Sequence, residues 1–285
     1  DEAVTARAAE DVLRPLPSTS SGPSVREMIL GSEGRLGVIT EVTVQVHRIP
    51  EKRDVFAYFF PNWNAGIAAM QEISESDARP SITRVSDSNE TGFSLATSKE
   101  STGVSKFLSG TVLPTLMKHG GMGVGSGPGV LYDQKKFDTP YLRDFLLDRG
   151  AAGDVSETAA PWSRLNEVHD AAYAAANAAY AEIGVKGWIM SHLSHSYHSG
   201  ACLYFTFAFV FQDDPIAEYN VVKNAIQQSF VDHGATISHH HGVGVEHAPW
   251  LEQDISAEGV KVMSGLFAAN DPGSNFNPRT VITSS

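Results

Sequence analysis

The run from Leu203 to Phe211 constrains the fold of this chain more than any other stretch. Leu203 and every second residue after it, all of them phenylalanine, share one face of an extended strand. So large an apolar face must lie against a packed core. Tyr204 falls on the opposite face, where a phenol can act as an acid or a base if its surroundings lower its pKa. A core tyrosine with one satisfied hydroxyl is the alternative interpretation.

Composition narrows the class of protein. The chain has 285 residues, 42% of them hydrophobic and 19% charged, which is typical of one large globular domain or two smaller ones. Its net charge of -12 disfavours nucleic acid as a partner and allows at most peripheral membrane contact, so we expect a small molecule. The single cysteine, Cys202, excludes an intrachain disulfide and is expected to be a small buried hydrophobe. The chain shows no secretory signal and no apolar run of about 20 residues, so we expect a cytoplasmic protein.

Three adjacent histidines mark the first place to look for chemistry. They lie in Ser238-His239-His240-His241-Gly242-Val243-Gly244. Imidazoles transfer protons near neutral pH, and the glycines let backbone approach a ligand or another strand closely. An exposed histidine-rich loop or an incidental metal trap is the alternative. Three further histidines, spaced by three, are potential zinc ligands together with the triplet: His192, His195 and His198. We nevertheless predict no functional metal.

A glycine-rich run precedes the first strongly patterned stretch of the sequence. Gly31, Gly34 and Gly37 allow positive φ and leave backbone N–H groups free for a phosphate or a cofactor ring, although a tight turn explains the spacing equally well. Apolar and polar residues then alternate from Leu36 to Val46, which predicts a long strand with one buried face.

Other segments give a coarser prediction. Residues 54–60 are expected to form a strand, and residues 63–75, 215–233 and 255–267 to form helices. A helix is also predicted after Arg164, with a narrow apolar stripe at Val168, Ala171, Ala175 and Ala179. The glycine-rich region within residues 99–129 is predicted to be a flexible loop or a lid.

The sequence around these glycines is more informative than their spacing. The segment LGSEGRLGVITEVTVQV resembles the flavin-contacting segment that closes the FAD-binding domain of vanillyl-alcohol-oxidase-type flavoproteins, where GSEGTLGVITEV is typical. Arg35 departs from the usual Thr or Ser. The resemblance implies that FAD is the cofactor and that it contacts Glu33, Gly34, Arg35, Leu36, Gly37, Val38 and Ile39.

Four further phrases are similar to the alkyl-dihydroxyacetonephosphate synthase branch of these flavoproteins. They begin at Pro80 (P-x-S-I-R-L-x-D in the branch), Glu157 (E-T-[SA]-A-P-W-x-R), Tyr197 (Y-D-A-G-A-C-I-Y-F) and Gly234 (G-x-x-S-H-H-H-G-V-G). The resemblance implies that Arg164 binds the substrate phosphate, which suits its forked guanidinium. It also implies that the catalytic residues are Arg84, Tyr204, His239, His240 and His241.

The same resemblance implies the architecture. We expect an α+β fold with an antiparallel sheet covered by helices, and a homodimer. Residues 1–50 would end an FAD-binding domain, residues 51–258 would form the substrate (cap) domain, and residues 259–285 would return toward the FAD domain. Most of the family's FAD-binding domain, with its Gly-rich pyrophosphate loops, lies upstream of these motifs, so we expect this chain to be part of something longer.

The implied reaction exchanges the acyl chain of acyl-dihydroxyacetone phosphate for a fatty alcohol, without net redox change, and gives an ether lipid precursor. Tyr204 would take a proton from the carbon that bears the ester. Two alternatives stay open: an FAD-linked oxidase or dehydrogenase of a hydroxy acid or alcohol, and a noncatalytic fragment consisting of the substrate domain.

Overall fold

The computed structural model describes residue 20 and residues 22–44, 46–78, 80–97, 112–127 and 139–283. These residues fall into two compact units. The smaller holds those up to Pro50 together with those from His240 onward, and the larger spans Glu51–His239. The assignment of either unit to a cofactor or a substrate remains a prediction.

The larger unit is α+β, as expected. Its strands form a two-stranded antiparallel sheet (β1 with β3) and a four-stranded antiparallel sheet in the order β2-β5-β6-β4. The strands are β1 (Ala57–Phe59), β2 (Val85–Ser86), β3 (Met122–Gly125), β4 (Ala151–Pro161), β5 (Gly187–Ser196) and β6 (Gly200–Val210).

Between Val25 and Asp232 the described residues form seven α-helices. The first, α1 (Val25–Ile29), lies in the smaller unit. The others lie in the larger unit: α2 (Trp63–Glu75), α3 (Ser88–Thr97), α4 (Val112–Lys118), α5 (Thr139–Leu147), α6 (Leu165–Glu182) and α7 (Pro215–Asp232). The helix predicted over 63–75 is confirmed, and the predicted strand over 54–60 shortens to β1.

The core of the larger unit lies between one face of the four-stranded sheet and the helices α6 and α7. The alternation in β6 is confirmed: Leu203, Phe205, Phe207 and Phe209 are buried, while Tyr204 is only partly covered. The buried side chains of the two helices complete this cluster, among them Leu165, Val168, Ala172, Ala176, Val222, Ile226 and Phe230. Burying these apolar side chains stabilises the unit, because each fully buried one contributes roughly 1.5–3 kcal/mol.

Both covering helices differ from their predicted faces. In α6 Val168 and Ala179 are buried as predicted, but between them Ala172 and Ala176 are buried rather than Ala171 and Ala175. Alanines occupy most positions of this helix, so the sequence defines its phase poorly. In α7 Val222, Ile226 and Phe230 are buried as predicted, but Ile216 is exposed. Asp214 precedes the helix and caps it by accepting the Ile216 and Ala217 N–H groups.

Strand register places polar residues side by side on the sheet face opposite the phenylalanines. Tyr204 in β6 lies directly opposite Glu157 of β4 on one side and His192 of β5 on the other. His192 in turn pairs with Ser86 of β2. A register shift between Leu193 and His195 interrupts the ladder toward the β5–β6 turn.

Two predictions were wrong. Among the described residues between Leu36 and Val46 no strand forms, and the valine face is uncovered, with Val38 76% exposed. A strand needs a partner for its backbone groups, and the described residues of the smaller unit contain none. The glycine-rich region is not wholly a loop, because its described residues form α4 and then β3, which pairs with β1; residues 98–111 and 128–138 lie outside the described residues.

The later part of the smaller unit contains one long helix. A 3₁₀ turn (Ala248–Trp250) leads into α8 (Leu251–Asn270), which begins before the predicted helix and is interrupted at Ser256 by non-helical backbone. No helix of the described residues combines the length and the apolar character needed to cross a membrane.

Candidate functional site

Tyr204 lies against an imidazole. Its ring stacks on that of His192, with centroids 4.9 Å apart and planes inclined by 22°. Burial raises the pKa of Tyr204, nearby Asp154 adds to the effect, and the Arg84 guanidinium opposes it. The surroundings therefore raise this pKa, so the condition under which the phenol would ionise readily is not met. The resting group is a neutral phenol, and Arg84 is a nearby charge that favours its ionisation.

Arg84 belongs to the same cluster. Its Nη2 lies 2.6 Å from Oε1 of Glu90, a carboxylate that is almost fully buried at the start of α3. The same oxygen lies 2.8 Å from Nδ1 of His192. Burial lowers the pKa of His192, so this ring is neutral near pH 7 and we assign its proton to Nδ1, donated to Glu90. Arg84 and Tyr204, predicted from separate phrases, are thus brought together by His192.

Glu90 is held as a carboxylate despite its burial. Burial by itself would raise its pKa, but the hydrogen bond from His192 and the charge of Arg84 outweigh this and lower the pKa. Asp87 fixes the turn that carries Glu90. Its Oδ1 accepts the Glu90 N–H at 2.8 Å, and its Oδ2 accepts the Ser191 N–H at 2.8 Å. The Tyr173 hydroxyl of α6 also donates to Oδ2. These bonds tie the start of α3 to β5.

A second cluster surrounds His239, the member of the triplet that lies in the larger unit. Glu157, fully buried in β4, accepts hydrogen bonds at Oε1 from the Ser238 hydroxyl (2.8 Å) and the His239 N–H (2.7 Å). The other carboxylate oxygen lies 3.7 Å from His239 Nδ1. On the far side of the ring, Nε2 lies 2.6 Å from the Tyr197 hydroxyl.

Metal-binding donors are partly present here. Potential ligand atoms of His195, Cys202 and His239 lie within 4.8 Å of one another. Burial raises the pKa of the Cys202 thiol to about 12, so at neutral pH it is a thiol that donates to Glu157 rather than a metal-binding thiolate. His192 is engaged with Glu90 instead, so the three histidines spaced by three do not act as one set.

The smaller unit holds His240, His241 and the glycine-rich turn. The two rings meet edge-on, with centroids 4.5 Å apart. The Glu33 carboxylate accepts the N–H groups of Val243 and, at 2.8 Å, Gly244. Gly242 has φ +90°, a conformation that is strained for a residue with a side chain, and a Cβ there would lie 2.8 Å from Glu33 Oε1 and displace that carboxylate.

Arg35 has an internal role. It is buried, its guanidinium lies 4.7 Å from the centre of the Phe267 ring, and it donates to the Thr280 and Ile282 carbonyls. Gly34, Val38 and Ile39 are exposed in the same segment. Leu36 and Gly37 are partly covered.

Arg164 lies immediately before α6 and its side chain is 53% exposed. Its Nη1 is 3.3 Å from Oε2 of Glu167 in the first turn of the helix. The guanidinium is therefore accessible to an anion, which would compete with a solvent-screened ion pair.

The match to known proteins covers most of the chain. Residues 49–117 and 128–281 match the family described as FAD linked oxidases, C-terminal domain. The chain belongs to this family. FAD is accordingly the cofactor of the enzymes to which it is related.

Individual relatives of this FAD-linked oxidase domain carry a narrower name. An alkyldihydroxyacetonephosphate synthase of Dictyostelium discoideum is 31% identical over 93% of the chain and 49% of the relative, and one of Trypanosoma brucei brucei is 29% identical over 95% and 50%. A solved structure of such a synthase superposes with a TM-score of 0.70 at 28% identity, covering 92% of the chain and 50% of the other. The chain spans about half the length of these relatives.

The described residues fit a flavin in part. Exposed backbone at Gly34 and exposed apolar side chains at Val38 and Ile39 offer the surface that a planar ring system requires. Glu33 and Arg35 make their contacts within the protein instead. If FAD binds this segment, we expect it to use the backbone and the apolar side chains rather than these two charges.

Sequence reasoning missed Glu90 and Glu157 and did not single out Tyr197. The signal for Glu157 was present: a carboxylate in the middle of a strand of small and apolar residues must be paired if it is buried. For Glu90 and Tyr197 the sequence offered no comparable signal, because their partners lie 102 and 42 residues away.

Proposed function

We propose that this chain supplies the substrate-handling part of an FAD-dependent enzyme of the alkyl-dihydroxyacetonephosphate synthase type. The reaction replaces the acyl chain of acyl-dihydroxyacetone phosphate by a fatty alcohol. The observation that carries the proposal is the position of Tyr204, on the sheet face away from the core and next to His192 and Arg84. The names of the relatives with which the chain aligns over most of its length support the same reaction.

Each residue then has a distinct task. The exposed guanidinium of Arg164 binds the substrate phosphate as a fork. Tyr204 takes the proton from the carbon that bears the ester, and Arg84 stabilises the phenolate which that step requires. His239, His240 and His241 exchange protons with the leaving and entering groups. FAD, when bound, would supply a flavin ring that can accept electrons from that carbon or form a bond to it.

The test uses the full-length protein from which this chain comes. Purified with FAD, it is expected to incorporate a labelled fatty alcohol into ether product and to release fatty acid. Tyr204→Phe should abolish turnover while the bound-flavin absorbance persists, because the substitution removes the hydroxyl and keeps the ring that stacks on His192. Tyr180→Phe, which removes a core hydroxyl that donates to the Trp188 carbonyl, is the matched control and should leave turnover unchanged.

Three results would count against the proposal. Undiminished turnover by Tyr204→Phe would contradict the role of the tyrosine. Anaerobic bleaching of the flavin by a hydroxy acid or alcohol, without alkyl exchange, would instead identify an oxidase or dehydrogenase, the broader activity that the family description names. Failure to bind FAD under any condition would favour a noncatalytic domain.

A further inference from the structure

Three side chains of the larger unit lie in a row: His239 and Tyr197 are within hydrogen-bond distance, and Glu157 lies close enough to His239 for its charge to act on the imidazole. Glu157 Oε2 lies 3.7 Å from His239 Nδ1, and His239 Nε2 lies 2.6 Å from the Tyr197 hydroxyl. The inner end is fully buried and the outer end is exposed, since 47% of Tyr197 is accessible. A buried carboxylate, an imidazole and an accessible hydroxyl in this order resemble the orienter, base and reactive group of an acid–base triad.

We propose that Glu157, His239 and Tyr197 form a proton relay whose outer, catalytic group is the Tyr197 hydroxyl. The inference rests on the proposed function for its substrate, because the relay needs a group with which to exchange a proton. It adds a second tyrosine to the site, separate from Tyr204, and gives Glu157 a positioning role.

Both oxygens of Glu157 accept hydrogen bonds. Its two oxygens receive the Ser238 hydroxyl, the His239 N–H and the Cys202 thiol, and all of these are donors. Hydrogen bonds from such donors favour the charged form of a carboxyl group. Its charge next to Nδ1 favours a proton on that atom, so we assign His239 the tautomer with Nδ1–H, in which Nε2 accepts the hydrogen bond from the Tyr197 hydroxyl.

Tyr197 is held in place to use that lone pair. Its N–H donates to the Gly200 carbonyl at 2.8 Å across the β5–β6 turn, and its own carbonyl accepts the Trp162 indole N–H at 3.0 Å. The His195 ring also lies near the imidazole, with ring centroids 5.2 Å apart. These two backbone hydrogen bonds fix the turn that presents the Tyr197 hydroxyl to Nε2.

The proton balance is simple. The entering fatty alcohol gives its hydroxyl proton to the Tyr197 oxygen while Tyr197 passes its own proton to His239 Nε2. The alcohol oxygen gains nucleophilic character, and the imidazolium that forms is stabilised by the Glu157 carboxylate. The proton then returns through Tyr197 to solvent, which the exposed hydroxyl can reach. No oxidant or further reactant is required.

The test combines turnover with histidine nitrogen NMR on the full-length protein. For Tyr197→Phe we expect turnover to fall about 10²-fold, with little change in KM for the acyl substrate, and the Nε2 resonance of His239 to shift. Glu157→Gln keeps an acceptor oxygen for Ser238 and the His239 N–H but removes the charge, so it should redistribute the His239 proton between the two nitrogens and lower turnover. Tyr180→Phe, which removes a core hydroxyl that donates to Trp188, should leave both the His239 resonances and turnover unchanged.

The outcomes separate this proposal from the preceding one. Wild-type turnover by Tyr197→Phe, or a His239 proton resident on Nε2, would overturn the relay. If the wild-type protein exchanges no alkyl chain at all, the proposed function fails, and the NMR alone decides whether the relay exists. Should Glu157→Gln fail to fold, Glu157→Asp provides the second variant: it keeps the charge and should retain the Nδ1–H tautomer.

Discussion

The imidazole of His192 lies nearly flat on the phenol of Tyr204, with ring centroids 4.9 Å apart, because the two residues are directly opposed in strands β5 and β6. His192 also carries the contact with Glu90, so the environment of Tyr204 extends to Arg84. The electrostatics of the tyrosine therefore depend on residues that do not touch its ring.

Replacement of Arg84 by methionine should move the pH–rate profile to higher pH. Arg84 opposes the burial that raises the pKa of Tyr204, so its loss raises this pKa further and leaves less phenolate at a given pH. On the part of the profile where the rate rises with pH, a shift of the profile by one pH unit lowers turnover about tenfold. The measurement is the turnover rate of the full-length protein from about pH 6 to about pH 10. Arg84→Lys keeps the charge and should shift the profile less, whereas equal profiles for all three proteins would contradict the assignment.

Glu90→Gln should weaken the fold near neutral pH by about 2 kcal/mol, because a buried, charge-assisted contact with Arg84 and His192 is lost. The folded-state pKa of Glu90 lies below its ordinary value of 4.5, so the stabilisation is present above that pH and disappears as pH falls through the folded-state pKa. Urea unfolding at neutral pH and at about pH 3.5 should show the gap between wild type and variant narrowing. The exposed Glu75→Gln is the control, and a gap that widens in acid would contradict the sign.

Phe205→Ala should destabilise the protein by about 3–5 kcal/mol, since the ring is fully buried among the side chains of α6 and α7. Val210→Ala, in the same strand but exposed, should change the free energy of unfolding by less than about 0.5 kcal/mol. Chemical denaturation of both variants makes the comparison. Similar losses would mean that the alternating faces of β6 are not buried as described.

Gly200→Ala should cost about 1–3 kcal/mol. A Cβ at this position would lie 2.2 Å from the Ala160 carbonyl oxygen in the paired strand β4, and backbone cannot yield as a flexible side chain does. Gly92→Ala is the opposite case: nothing lies within 4 Å of its Cβ position in α3, so it should stabilise by about 0.5–1 kcal/mol. Melting temperatures that move in the same direction for both variants would refute this argument.

Local patterns predicted the elements better than their partners. The alternation around Tyr204 identified the buried face of β6 because that signal is contained within nine residues. The same reasoning failed between Leu36 and Val46, where the described residues have no paired strand. Alternation reports which side chains share a face, but whether a strand forms depends on a partner elsewhere in the chain.

The candidate site shows the same division. Arg84 and Tyr204 were found through a family resemblance, but His192, which joins them, was considered only as a potential metal ligand. Its role follows from the register of β5 against β6 and from the turn that Asp87 fixes. The register joins two strands of one hairpin, whereas the turn that carries Glu90 is tied to β5 by contacts between residues 104 and 102 positions apart, which no local pattern could contain.

Glu33 has a mechanical consequence. Its carboxylate holds the backbone of Val243 and Gly244, residues 210 and 211 positions further along the chain, while the Asn277 amide donates to its carbonyl at 2.6 Å. The glycine-rich turn and the loop after His241 therefore cannot be displaced independently. A planar ligand that binds at Gly34 and Val38 and shifts this turn would also shift the loop after His241, because Glu33 connects the two segments.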